Sequence, residues 1–259
     1  MTYCVGVLVN QGLVMLSDSR TSASVDNIAT YRKMTVWQQP GDRMICLMSA
    51  GNLAISQAVV NLIEEWNGSD RSGGVYGVTS MFRAARLVGD AIRSVYETDG
   101  KALELRDQPF NASFLLGGQV NGGQTRLFQI YSEGNFIEAS DETPFLQIGE
   151  HKYGKPILDR AITVETPLID AMKLALVSMD STLRSNLSVG FPLDLMVYED
   201  GMLAPKIWRH IREDDPYYSN IREQWSLALR RAYTEIPDPD WLSEPTATVH
   251  ALGTPEPGA

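Results

Sequence analysis

Thr2, Asp18 and Lys33 carry the reactive chemistry at the head of this 259-residue sequence. A threonine hydroxyl is a weak nucleophile near neutral pH and needs a base beside it. If Met1 is removed, the α-amine of Thr2 becomes that base, because a free α-amine titrates at about 7.7–8.0, close to operating pH. A lysine ammonium alongside disfavours protonation of the amine and favours negative charge developing on Oγ. A buried lysine needs a partner, which Asp18 supplies. The same residues have a plainer reading, in which Thr2 only opens a strand, "DSR" ends one and Lys33 is a solvated edge lysine. With Met1 retained, the amine is blocked and the chemistry fails. Cys4, two residues on, reads as core instead: it sits in an apolar run with no adjacent histidine.

The elements must bring these three together. "YCVGVLV" and "LVMLS" flank "NQG" and read as a buried hairpin. A turn centred on Gln11 makes paired numbers sum to about 22, which puts Asp18 one diagonal step from Thr2 on the same face. A shift of one residue flips that parity. "SRTSASVDN" reads as a polar loop, "IATYRKMTVWQ" as a strand that presents Lys33 at the same end of the sheet, and "RMICLMSAG" as a further apolar strand. Helical spacing then sets in at "NLAISQAVVNLIEEWN", with Asn52 as its N-cap, and again at "VTSMFRAARLVGDAIRSVYET". Strands return in "NASFLLGGQV", "TRLFQIYS", "NFIEAS" and "FLQIG". Helices follow at 155–162 and at "ETPLIDAMKLALVSMDSTLRSN", where Thr166 is the expected N-cap and Pro167 lies in the first turn. Strands "VGFPLDLMVYED" and "MLAPKIWRHI" precede a last amphipathic helix near 214–236.

Strands in runs, separated by helix pairs, disfavour a doubly wound parallel sheet. Two antiparallel sheets with helices on their outer faces would bury every apolar run, an α+β class. The expected division is a main domain over 1–212, an appended helix over 213–236 and a mobile tail over 237–259, where Pro, Thr, Glu and Gly dominate.

Composition narrows the function classes. A net charge of −10 argues against a nucleic-acid-binding surface. Cys4 and Cys46 form no CxxC, and His151, His210 and His250 are scattered, so neither a metal nor a cofactor is expected. Positions 1–9 lack a basic region and no apolar run approaches the roughly 18 residues of a membrane span. The expected setting is the cytoplasm, where buried thiols stay reduced. No phosphate-binding loop is visible, so any ATP-driven partner would be a separate protein.

The stretches "TYCVGVLVNQGLVMLSDSR", "DNIATYRKM", "MSAGNLA", "IGEHKYGKP" and "SMDSTLRSNLSVG" resemble the proteasome β-subunit family of N-terminal nucleophile hydrolases, and within it the bacterial Anbu (ancestral β-subunit) proteases. The resemblance runs from Thr2 to about Trp208. It implies a four-layer αββα sandwich, with subunits packed side by side into rings or ring-like helical turns. It implies Thr2 as nucleophile, its amine as general base, Asp18 and Lys33 beside it, and Gly51 as an oxyanion-binding N–H. Ser22, Gly51 and Leu53 fall where the family pairs an extended peptide, and Ser49 and Leu53 where it lines the first specificity pocket. Asp180 matches the family's supporting aspartate, with Ser181, Ser185 or Ser188 as its partner serine. Glu150 departs from the pattern, standing where the family has the serine of a Gly-Ser-Gly segment.

The leading expectation is a self-assembling threonine-type peptidase acting on peptides or unfolded protein. The alternatives are an amidase of the same fold acting on a small amide or isopeptide, and an inert ring-forming subunit.

Overall fold

The computed structural model describes residues 2–24, 27–69, 73–105 and 109–243. The chain divides into two compact units, Met1–Arg222 and Glu223–Ala259.

The first unit contains two five-stranded antiparallel sheets. One is built from β1 (Tyr3–Val9), β2 (Gly12–Asp18), β10 (Phe145–Gly149), β11 (Leu193–Glu199) and β12 (Pro205–Ile211), in the order β10-β1-β2-β11-β12. The other runs consecutively through β5 (Met34–Gln39), β6 (Arg43–Gly51), β7 (Ala112–Val120), β8 (Arg126–Ile130) and β9 (Phe136–Glu138). A two-stranded ribbon, β3 (Arg20–Ser24) with β4 (Asn27–Thr30), stands outside both. The helices are α1 (Leu53–Ser69), α2 (Met81–Val95), the short α3 (Lys101–Glu104), α4 (Lys155–Ala161), α5 (Leu168–Ser185) and α6 (Pro216–Thr234).

Burial follows the alternation of the strands. Tyr3, Val5, Val7 and Leu16 of the first sheet pack with Leu158 of α4 and Ala175 and Met179 of α5. Ile45, Leu47 and Phe114 of the second sheet pack with Val59 of α1 and Ala85 and Ile92 of α2. The opposite faces meet in a sulfur-rich cluster: Cys4, Met15 and Met196 from one sheet and Met34, Met44, Cys46 and Met48 from the other. Unbranched thioethers conform to the irregular gap between two twisted surfaces. Both cysteines are free and buried.

Four local expectations are corrected. The hairpin pairs Cys4 with Ser17 and Val9 with Gly12, so paired numbers sum to 21 and Asp18 does not share a face with Thr2 through the register. The cause lies outside the hairpin. Asn10 N–H donates to Val164 O and Gln11 Oε1 accepts from Leu168 N, fixing a two-residue turn against the start of α5. That contact also displaces Thr166 as a cap: Thr166 Oγ1 takes the Thr163 N–H instead, 3.0 Å away. The stretch expected as a polar loop forms the β3–β4 ribbon, while the strand expected across Lys33 splits into β4 and β5 with 31–33 between them. The ribbon rests on backbone pairing among polar residues, so hydrophobic alternation does not mark it. Asn52 caps α1 as expected, its Oδ1 accepting from Ala54 N at 3.0 Å.

In the second unit, α6 continues to Thr234 and a short 3-10 turn covers Asp240–Ser243. The rest of the expected tail, 244–259, lies outside the described residues, as does Met1. No helix among the described residues is long and apolar enough to cross a membrane, and none of their His, Cys, Asp and Glu side chains group as a metal site.

Candidate active site

The end of β2 delivers Asp18 to the interior with no exposed surface. Its Oδ1 accepts from Lys33 Nζ at 2.6 Å and from Tyr3 N at 3.1 Å, and its Oδ2 accepts from Gly190 N at 3.3 Å. Burial pushes the Asp18 carboxyl above its ordinary value, while Lys33 and the two backbone N–H groups pull it back. Lys33 reaches this carboxylate from the segment ahead of β5 and also donates to Arg20 O at 2.7 Å. Its own carbonyl accepts from Ser49 N at 3.1 Å, tying that segment to β6. Loss of either partner would leave an uncompensated buried charge, at a cost of about 3–5 kcal/mol.

Thr2, just ahead of β1, is buried and opens onto a cavity of about 640 Å³. Arg20, Lys33, Ser49, Gly51, Leu53 and Glu150 line it together with Thr2. Gly51 has φ 107°, and a Cβ there would stand 2.4 Å from Asn111 O, so only glycine fits the end of β6. Ser22 lies on β3, opposite Ile28, and its side chain falls outside what the structure describes.

Gly149, at φ 80°, lies against the Thr2 carbonyl, and a Cβ would come within 2.0 Å of that oxygen. The chain turns there, and Glu150 N donates to Thr2 O at 2.7 Å. The Thr2–Tyr3 peptide is therefore held on both sides, its oxygen by Glu150 and its N–H by Asp18. Glu150 is itself a lining residue, and its Oε2 accepts from Asn186 Nδ2 at 2.9 Å.

Solved structures share this arrangement of elements. Anbu from Hyphomicrobium sp. strain MC1, as its Gly-1 mutant, is 50% identical over 93% of this chain and all of its own, with a TM-score of 0.86. Anbu (ancestral β-subunit) from Yersinia bercovieri is 46% identical over 92% of this chain and 98% of its own, also at 0.86. The Anbu complex of Pseudomonas aeruginosa, solved as a helical assembly, is 46% identical over 93% of this chain and 99% of its own, at 0.87. The chain belongs to the Anbu family. No family model matches the chain, and neither does any curated protein. Membership in Anbu makes it a proteasome-like β-subunit of the N-terminal nucleophile hydrolase kind with an α+β fold.

Against the Anbu resemblance, the structure redistributes the supporting residues. Asp180 does not line the cavity: its carboxylate lies 3.0 Å from Arg184 on α5 and 3.0 Å from Arg222 on α6. Ser181 and Ser185 are likewise not among the cavity's lining residues, and Ser185 is exposed at the end of α5. Ser188 N bonds Asn186 Oδ1. The residues of this region that bond to candidate site residues are Asn186, on Glu150, and Gly190, on Asp18. Neither was expected from spacing. Their one sequence signal is the end of the α5 periodicity at Ser185, which makes the segment that follows a loop.

That loop is clamped onto the start of β3. Arg20 Nη1 donates to Leu187 O at 3.0 Å, and a Cβ at Gly190 would stand 2.1 Å from Arg20 Nε. Ser19 Oγ donates to Pro192 O at 2.5 Å. The Cys4 thiol, donating to Ser49 O at 3.7 Å, is pushed far up by burial, against the pull of Lys33. It remains a neutral thiol in the apolar seam.

Proposed function

We propose that this chain is a self-assembling threonine-type peptidase whose nucleophile is Thr2 once Met1 has been removed. The observation that carries the reading is that Thr2 and Lys33, with Asp18 fixed to the lysine, open onto one cavity. In the first step Thr2 Oγ attacks the carbonyl carbon of a peptide bond while the Thr2 amine takes its proton. The amine then gives that proton to the departing peptide nitrogen as the C–N bond breaks, leaving an acyl ester on Thr2. A water, deprotonated by the same amine, hydrolyses the ester and restores the hydroxyl. Lys33 offsets the charge that develops near Oγ, and the Gly51 N–H receives the oxyanion. The substrate lies extended between Ser22 and Thr21 of β3 on one side and Gly51 and Leu53 on the other, with Ser49 and Leu53 at the first specificity pocket.

The three apolar clusters support a stack of helices, sheet, sheet and helices, the αββα sandwich of this hydrolase class. The helical assembly of the Pseudomonas aeruginosa relative supports assembly of this chain into rings or helical turns. The two reduced, buried cysteines fit a cytoplasmic setting.

A β-lactone probe followed by intact-mass measurement tests the reading. The expected result is a mass lacking Met1, a single covalent adduct, and no adduct on Thr2→Ala. A free Thr2 amine without an adduct would instead identify an inert ring subunit. An adduct with turnover of small amides but not of peptides would identify an amidase.

A further inference from the structure

We propose that Glu150 is a positioning residue that holds the freed α-ammonium of Thr2 and raises the pH at which it becomes a base. The inference rests on Thr2 being the nucleophile. Where a nucleophile and its base belong to one residue, a third group is still needed to orient the base. Here the Thr2 carbonyl is bonded by Glu150 N and the Tyr3 N–H by Asp18 Oδ1, so the groups of Thr2 left free to act are its hydroxyl and its nitrogen. The residue that holds that carbonyl carries a carboxylate, is 9% exposed and lines the same cavity as Thr2.

The carboxylate is only half committed. Oε2 takes the Asn186 amide at 2.9 Å. Oε1 has Lys152 Nζ at 3.3 Å, a longer contact from a side chain that is 64% exposed. A buried carboxylate oxygen with so loose a partner favours a second, closer cation, and an ammonium on Thr2 is of the right chemistry.

The other charges at the site are accounted for. Lys33 is engaged by Asp18 Oδ1 and Arg20 O, and its charge is offset by Asp18. Arg20 is spent on the loop after α5 through Leu187 O. His151, next in sequence, turns its Nδ1 to Gly149 O and lines a separate groove with Lys155 and Asp159. Glu150 is thus the anion placed to favour the charged form of the amine, whereas Lys33 and Arg20 act in the opposite sense.

The amine can be titrated directly, without relying on its catalysis. Labelled acetic anhydride, applied to the assembled protein across a pH series, acylates only the neutral amine, and mass spectrometry of the N-terminal peptide gives the midpoint. Glu150→Gln is expected to lower the midpoint by about one pH unit, a roughly tenfold gain in neutral amine at a pH below it. Lys152→Ala alters only an exposed side chain and is expected to raise the midpoint, because it leaves Oε1 to the amine. Unchanged midpoints in both variants would overturn the inference while leaving Thr2 as nucleophile intact. An intact mass that retains Met1 would overturn both.

Discussion

Single side chains decide the chemistry through their surroundings. Asp18 and Lys33 hold opposite charges in an interior that would penalise either alone, and each is fixed by further bonds to backbone groups. Cys4 and Cys46 show the converse: with no cation bound to either sulfur, burial drives both thiols far above their ordinary value. The sign is simple. A raised thiol pKa lowers the thiolate fraction at neutral pH, and the thiolate is the reactive form. Iodoacetamide at pH 8 is therefore expected to leave both cysteines unmodified in the native protein and to alkylate both after denaturation, as read by mass. Labelling of Cys4 in the folded protein would reopen its candidacy as a nucleophile. At this scale Thr2, Asp18 and Lys33 were legible in the sequence because their residue types are chemically loaded, whereas Glu150 stood out only as a departure from the family pattern. Asn186 and Gly190 were not, because an amide and a glycine acquire meaning only from what the fold places against them.

Elements carry the next level of information. The strands and long helices followed from apolar periodicity, since burial of one face imposes a period of about 2 or 3.6. What periodicity leaves open is register, and here one residue mattered. The β1–β2 turn is set by Asn10 and Gln11 bonding to the segment that starts α5, a contact more than 150 positions away in the chain and so invisible in the hairpin itself. Lys33 also moved from a strand to the connection before β5, yet still reached Asp18, because a lysine side chain is long enough to absorb the change. Gly12 marks where tolerance ends. At φ 146° it passes so close to β11 that a Cβ would fall 2.0 Å from Tyr198 O, a backbone atom that cannot swing aside. Gly12→Ala is expected to destabilise the protein by about 3 kcal/mol, the upper end of overpacking costs. Urea unfolding monitored by tryptophan fluorescence would measure it, and a midpoint equal to that of the parent would mean that the strands separate freely at this point.

For the molecule as a whole, the two units differ in what they bury. Met1–Arg222 contains all three apolar clusters, including Tyr218, which packs edge-on against Phe191 with ring centres 5.2 Å apart. Glu223–Ala259 instead leaves Leu227, Leu229, Tyr233, Ile236, Trp241 and Leu242 exposed. Exposed apolar side chains gathered in one segment are the kind an association surface uses. A chain ending at Arg222 is expected to keep its thermal midpoint within about 2–4 °C, the shift that roughly 1 kcal/mol produces in a domain of this size. It is expected to lose higher assembly, read by light scattering and electron microscopy. Retained assembly would move the contact surface to the first unit.

The double hold on the Thr2–Tyr3 peptide has a practical bearing on how the protein is produced. On the proposed function, a purification tag fused ahead of Thr2 would keep its nitrogen in an amide bond and leave the hydroxyl without its base. Handles belong at the opposite terminus, and a silent enzyme carrying a leading tag would report on the tag.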